Sequence, residues 1–250
     1  MPRILNVDIT EISQNDLLKQ LSSGVLYTPN VDHLVKLQRN KDFYDAYQKA
    51  EWVICDSKIV YLASKLLSNP IPEAIPGSDF FSRFYHYHKN DPCCRIFLLG
   101  SAPGVASEAM KRINRIVGRN IVVGAHSPSF GFEKDKMECK EIVDIINTSG
   151  ATVLVVGVGA PKQEIWIAKY RNDIPHVKLF MALGATIDFE AGVKKRAPKI
   201  WQRMCLEWLY RFIQEPKRLF RRYFVEDLKF FGLFAKQLLH CYHNPFNTRK

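Results

Sequence analysis

The stretch Ala151–Tyr170, ATVLVVGVGAPKQEIWIAKY, decides the architecture. A continuous apolar run, ATVLVVGVG, is followed without a pause by a helix-like segment beginning at Pro161. A strand whose two faces are both covered reads as an unbroken apolar run, as strands of parallel sheets do. The run is about ten residues long, half of the ~20 that a bilayer-spanning helix needs.

The same cadence recurs on both sides of it. RILNVDI (3–9), GVLYT (24–28), EWVICD (51–56), RIFLLGS (95–101), NIVVGA (120–125) and VKLFMALG (177–184) are further strand-like runs. Helix-like segments lie between them over Val31–Ala50, Ser57–Leu67, Ser78–His88, Val105–Val117 and Lys134–Thr148. Apolar strands alternating with amphipathic helices predict an α/β fold, a mostly parallel sheet flanked by helices. Functional loops are then expected beyond the carboxyl ends of the strands.

The chain has 250 residues, 47% of them hydrophobic and 24% charged, enough to bury a full core. Its formal charge of +11 is unevenly spread. Lys194–Lys250 carries 14 of the 36 Lys/Arg residues and only 4 of the 25 acidic ones, so the first 193 residues are nearly neutral. The expected organisation is an α/β body over 1–193 and a basic, aromatic helical appendage over 194–250. A localised basic region implies a localised anionic partner rather than a uniform nucleic-acid coat.

Within that appendage, Trp201, Met204, Cys205, Trp208, Leu209 and Phe212 recur at the spacing of one helical face. Glu215-Pro216 breaks that helix and starts a second. There Phe220, Phe224, Phe231, Phe234 and Leu238 follow one side, and Arg218, Arg222, Lys229 and Lys236 the other. Such a helix either lies in a membrane interface or packs on the body or another subunit. The amino-terminal residues MPRILNVDITEIS do not read as a secretory signal. The six cysteines lack metal-ligand spacing and read as reduced, mostly packed thiols.

Polar residues gather at the predicted strand ends. Thr28 and Asn30 follow one strand, and Asn30 suits a helix N-cap. Asp56 follows another, either as an N-cap, the commoner fate, or as a proton acceptor at the sheet rim. Gly100 and Ser101 open a Gly/Ser/Pro turn into a helix, a shape that can cradle phosphate. Gly157 and Gly159 let backbone approach a ligand, and Gln163 sits in the first turn that follows. Neither glycine pair has the dinucleotide-binding spacing, which weakens an oxidoreductase reading. Arg211, Arg218, Arg221 and Arg222 cluster about the proline break, and arginine forks suit diphosphate oxygens. The alternative for them is a solvated basic face, or a nucleic-acid-binding surface with steep salt dependence.

At these residues the sequence resembles the WecG/TagA/CpsF family of bacterial glycosyltransferases. The strings that carry the resemblance are TPNVDHL, ICDSKIV, PGSDFF, FLLGSAPGVA, VGVGAPKQEIWI, LGATIDFEAG, KRAP and LEWLYRFIQEPKRLFRRY, in order from Thr28 to Tyr223. The resemblance implies a Rossmann-like sheet and inverting, metal-independent transfer with no cofactor. The sugar, N-acetylmannosamine or a related hexose or uronic acid, would pass from a UDP-sugar to a polyprenyl-diphosphate-linked sugar. The work would be done at the inner face of the cell membrane, in cell-surface polysaccharide or teichoic acid synthesis. Carried over by position, Asp56 matches the catalytic base, Thr28 and Asn30 the polar pair beside it, and Gln163 a pocket glutamine. Asp188 matches an acidic pocket residue, and Arg211, Arg218 and Arg221 match arginines that fold over the nucleotide diphosphate. The implied partners are the donor, the lipid-linked acceptor and an anionic membrane surface, without nucleic acid; a homo-oligomer stays open. Two departures stand out: Ser57-Lys58 follows Asp56 where DG is common, and Ala74 stands where an arginine is expected. A cation is then missing from the pocket or supplied elsewhere.

Overall fold

The computed structural model describes residues 1–198, 200, 201, 204 and 206–247, with the side chain of Arg218 left aside. Its first element is a small antiparallel hairpin, β1 (Arg3–Ile4) and β2 (Val7–Asp8), separate from the main sheet. The expected strand over RILNVDI is therefore corrected. It doubles back at Leu5-Asn6, where Leu5 takes a positive φ of 55°, and so cannot run as one sheet strand.

The main sheet contains β3 (Gly24–Tyr27), β4 (Trp52–Val53), β5 (Ile96–Gly100), β6 (Val122–His126), β7 (Val153–Gly157) and β8 (Leu179–Ala182). Their order is β4-β3-β8-β7-β5-β6, and every pairing is parallel. Side chains alternate between two cores. Tyr27, Leu99, Leu154 and Val156 face one, while Leu26, Leu98, Val155 and Met181 face the other. Both faces are dry, which is why these strands are apolar throughout.

One face is covered by α2 (Val31–Lys36), α3 (Lys41–Gln48), α7 (Lys136–Ser149) and α8 (Lys162–Tyr170). The other is covered by α1 (Gln14–Gln20), α5 (Gly77–Tyr87), α6 (Val105–Val117) and α9 (Thr186–Glu190). The helix expected over Val31–Ala50 divides in two, because Asn40 caps a new start by accepting the Phe43 N–H. The connection after β3 leaves to one face through α2, and that after β8 leaves to the other through α9. Such a divergence opens a crevice at the carboxyl ends of neighbouring strands.

The C-terminal quarter is helical but not as two straight rods. It contains α10 (Glu207–Gln214), α11 (Pro216–Arg221), a π-helical turn (Arg222–Glu226) and α12 (Leu228–Leu238). Pro216 occupies the first turn of α11, as its fixed φ favours. Of the expected first face, Trp208, Leu209 and Phe212 lie on α10, exposed Met204 precedes it, and Cys205 is outside the described residues. The wider π turn shifts the helical phase, so the aromatic stripe does not stay on one side. Phe230 and Phe234 are buried in the α2–α3 core, whereas Phe220, Phe224 and Phe231 are exposed. Gln237 ties α12 to the hairpin, donating to the Arg3 carbonyl and accepting from the Leu5 N–H, both at 2.8 Å. Three of the five described cysteines are buried and none is paired.

Candidate active site

Two clefts lie along the carboxyl rim. The first, about 300 Å³, is bounded by Asn30 after β3, by Asp56 after β4 and by α10 with the π turn. Asp56 does not cap α4 (Lys58–Ser64); Ser57 does, accepting the Val60 N–H. Asp56 is thereby released to face the cleft, and its Oδ1 accepts the Gly77 N–H at 2.7 Å. Burial pushes its carboxyl above the ordinary aspartate range. The Gly77 bond and the charges of Arg211 and Arg196 oppose that shift, while Glu207 adds to it.

Arg211, Arg196 and Lys58 are cationic residues that line the cleft with Asp56. Arg211 pairs with Glu207 one turn earlier on α10 and stacks over Phe189, 5.6 Å from the ring centre. Burial disfavours its charge, but Glu207 and Asp56 more than restore it. Arg196 forks onto Asp79, with Nη2 2.9 Å from Oδ2, and lies 3.9 Å from Glu207. Burial lowers its pKa, with Glu207 and Asp56 opposing. Ala74, at the position where an arginine was expected, lines the same cleft as these two guanidinium groups.

Thr28 and Asn30 serve the frame. Thr28 is buried and donates to the Ala182 carbonyl at 3.2 Å, tying β3 to β8 where α5 begins at Gly77. Asn30 caps α2 by accepting the His33 N–H at 3.2 Å and also lines the cleft.

The second cleft, about 330 Å³, lies over β5 and β7 and includes Ser101, Gly157 and Lys162. Gly100 and Gly157 face each other across the two strands. A Cβ on Gly100 would stand 2.5 Å from the Gly157 carbonyl oxygen, and one on Gly157 would stand 2.6 Å from that of Gly184. Only glycine permits this row of strand ends to close. Gly159 takes a positive φ of 86° and offers its N–H to Gln163 Oε1 at 3.1 Å.

Gln163 is buried, and its Oε1 also accepts the Gly184 N–H at 3.2 Å. It therefore clips together the loops after β7 and β8. Its amide nitrogen donates to Glu164 Oε1 at 2.8 Å. Asp188 is ion-paired to Lys194 at 2.9 Å, and Lys194 reaches Glu215 at 3.9 Å, so Asp188 anchors the entry to the C-terminal helices. Neither Gln163 nor Asp188 lines the Asp56 cleft.

The model of the glycosyl transferase WecG/TagA/CpsF family matches residues 2–244. The chain belongs to the WecG/TagA/CpsF family. It is thus a glycosyltransferase of cell-surface polysaccharide synthesis. The match reaches beyond Tyr223, so the family character takes in all of α12 and the residues after it as far as Asn244.

For a WecG/TagA/CpsF member, the arrangement sorts the arginines more finely than sequence does. Arg211 lies in the Asp56 cleft, whereas Arg221 is 84% exposed and only 4.0 Å from Glu226. Arg218 belongs to α11, and its side chain is outside the described set. Arg222, placed by the sequence on the basic side of the second helix, lies 3.7 Å from Asp32 and 3.8 Å from Asp227. Sequence reasoning assigned no role to Arg196, Asp79, Glu207 or Asp227. The first three lie inside the strings KRAP, PGSDFF and LEWLYRF, so the signal was present without a partner to explain it. Among the described residues, no group of three or more His, Cys, Asp or Glu side chains could hold a metal ion, and no helix is long and apolar enough to cross a membrane.

Proposed function

We propose that the chain moves a sugar from a UDP-sugar to a polyprenyl-diphosphate-linked sugar, with inversion and with Asp56 as the base. The observation that carries this reading is a half-buried carboxyl group that shares one cleft at the strand ends with Arg211 and Arg196. Direct displacement makes a bond from the acceptor oxygen to the anomeric carbon while the bond to UDP breaks. The hydroxyl proton passes to Asp56, and UDP departs with the electron pair. With Gly77 holding Oδ1, Oδ2 is the oxygen that would take the proton. Negative charge grows on the departing diphosphate, and Arg211 and Arg196, held at the cleft by Glu207 and Asp79, are the guanidinium groups to meet it.

The glycine-rich cleft suits the donor nucleotide: Ser101 and Gly157 line it, Gly100 and Gly159 shape the turns beside them, and α6 begins just beyond. Gln163 acts on it by fixing the two loops rather than by touching a reacting atom. The exposed Ile213, Phe220, Phe224, Val225, Leu228 and Phe231 give the C-terminal helices an apolar face. They support a peripheral position, which we place on the inner membrane face, with lysines and arginines of the same quarter for anionic headgroups.

The reading is tested by UDP release from a panel of UDP-sugars with a short-chain prenyl-diphosphate-N-acetylglucosamine acceptor. Release with the unaltered chain and its loss in Asp56→Asn is the expected result. Undiminished turnover in Asp56→Asn removes Asp56 as the base. Flotation with anionic and neutral liposomes tests the membrane contact, and no flotation with either excludes it.

A further inference from the structure

One wall of the Asp56 cleft has no task in the transfer step. It is formed by Trp208, Arg222, Tyr223 and Asp227. The Trp208 and Tyr223 rings meet edge to face at 5.9 Å. The Arg222 guanidinium lies 5.7 Å from the centre of the Tyr223 ring. Its contacts with Asp32 and Asp227, at 3.7 and 3.8 Å, are ion pairs too long to be hydrogen bonds. The guanidinium and the carboxylate both line the cleft, and with Arg222 Nε and Asp227 Oδ1 making no hydrogen bond among the described residues, neither side chain has its bonding capacity used up.

A ligand on this wall meets donors and an acceptor side by side. A hydroxyl donates to a carboxylate oxygen and accepts from a guanidinium N–H, so a polyol suits the cleft-facing atoms of the pair. The two aromatic rings offer an apolar surface for the C–H face of a pyranose. A phosphate fits poorly, because the carboxylates of Asp32 and Asp227 flank Arg222 and would repel it. Phosphate belongs instead with Arg196 and Arg211. The wall also stands on the helices that carry the exposed Phe220 and Phe224, the side from which a lipid-linked molecule would arrive.

We propose that Trp208, Arg222, Tyr223 and Asp227 form a subsite for the uncharged sugar ring of the lipid-linked acceptor and select that sugar. The proposal rests on the reading of this cleft as the site of transfer. It goes further in giving acceptor choice to the C-terminal helices rather than to the sheet.

Calorimetry on the full chain with UDP present tests it. The probes are a short-chain prenyl diphosphate, bare or bearing N-acetylglucosamine, N-acetylgalactosamine, glucose or galactose. The unaltered chain should bind at least one sugar-bearing probe about tenfold more tightly than the bare one, the size of a hydrogen bond to a charged group. Asp227→Asn and, separately, Trp208→Ala should cut that preference below about threefold and leave the bare probe within about twofold. Melting temperatures identify a variant that fails to fold, and Asp227→Asn keeps the shape of the side chain. A preference that survives in both folded variants overturns the subsite, as does its absence from the unaltered chain. The transfer reading fails separately: it falls if UDP is not released while the sugar preference still depends on Asp227.

Discussion

The Gly77 amide donates to Asp56 Oδ1 at 2.7 Å, joining the first residue of α5 to the end of the strand that precedes α4. This bond fixes the carboxyl group while burial raises its pKa. Asp56→Asn is expected to lower kcat by about 100-fold or more, the scale of a lost general base. UDP affinity, measured by calorimetry, should change less than about threefold, a small step on the affinity scale. A base must be deprotonated to work, so kcat/KM should fall as the pH drops through the raised pKa. The acid limb is expected above about 3.9, the ordinary aspartate value. A limb at or below that value contradicts the assignment.

Arg211 and Arg221 separate a cleft arginine from a surface one. Arg211→Ala should cost about 100-fold in kcat, as loss of one preorganised donor to a growing negative charge does. Arg221→Ala, with its side chain 84% exposed, should keep turnover within about threefold in detergent solution. Equal losses in the two variants would mean that α11 rearranges when substrate binds.

Phe230 and Phe231 are sequence neighbours with opposite surroundings, one fully buried against the α2–α3 core and the other 52% exposed. Phe230→Ala should destabilise the fold by about 3–5 kcal/mol, the usual range for a buried phenylalanine. Phe231→Ala should stay within about 0.5 kcal/mol in denaturant melts. It should nevertheless weaken liposome flotation. A truncation after Gly192 would also remove Phe230 and Phe234, so it would expose core as well as delete a surface.

Glu164 is buried beside Gln163, and burial pushes its carboxyl up to about 7. The raised value means that the folded chain holds this proton where the unfolded chain has released it. Its contribution to stability is therefore present below about 4.5 and is lost as the pH rises through about 7. Glu164→Gln should remove that loss. The difference in Tm between variant and parent should shift in favour of the variant as the pH is raised across this window. His33, 4.0 Å away, acts in the opposite sense, and burial holds its folded-state value down to about 3, below this window. A pH-independent difference in Tm would show that Glu164 does not titrate there.

The strands of the main sheet were legible in the sequence because both faces of the sheet are dry. Each of GVLYT, EWVICD, RIFLLGS, ATVLVVGVG and VKLFMALG contains one of them, and NIVVGA holds all of β6 but its last residue, His126. RILNVDI misled because a two-strand hairpin packed on the body is as apolar as a short sheet strand. The α6 boundaries at Val105 and Val117 also follow the sequence, since glycines in the left-handed region stand at both ends. Asp56 was the harder case. A carboxylate between strand and helix is ambiguous until its neighbour Ser57 is seen to take the cap.

What the sequence by itself determined is the α/β architecture, the glycine turns at the strand ends and membership of the glycosyltransferase family. Each of these is written in local pattern: apolar continuity, turn residues and strings of contiguous motif. Only the tertiary structure decided where the basic C-terminal residues point. Arg196, Arg211 and Arg222 enter the cleft and Arg221 does not, although all four lie in the same positively charged quarter. The reason is physical. Burying a guanidinium requires acidic partners, and for Arg196 and Arg222 these include Asp79 and Asp32, far away in the chain. The π turn at Arg222–Glu226 shifts the helical phase as well, so that periodicity read along the chain loses track of the inward face.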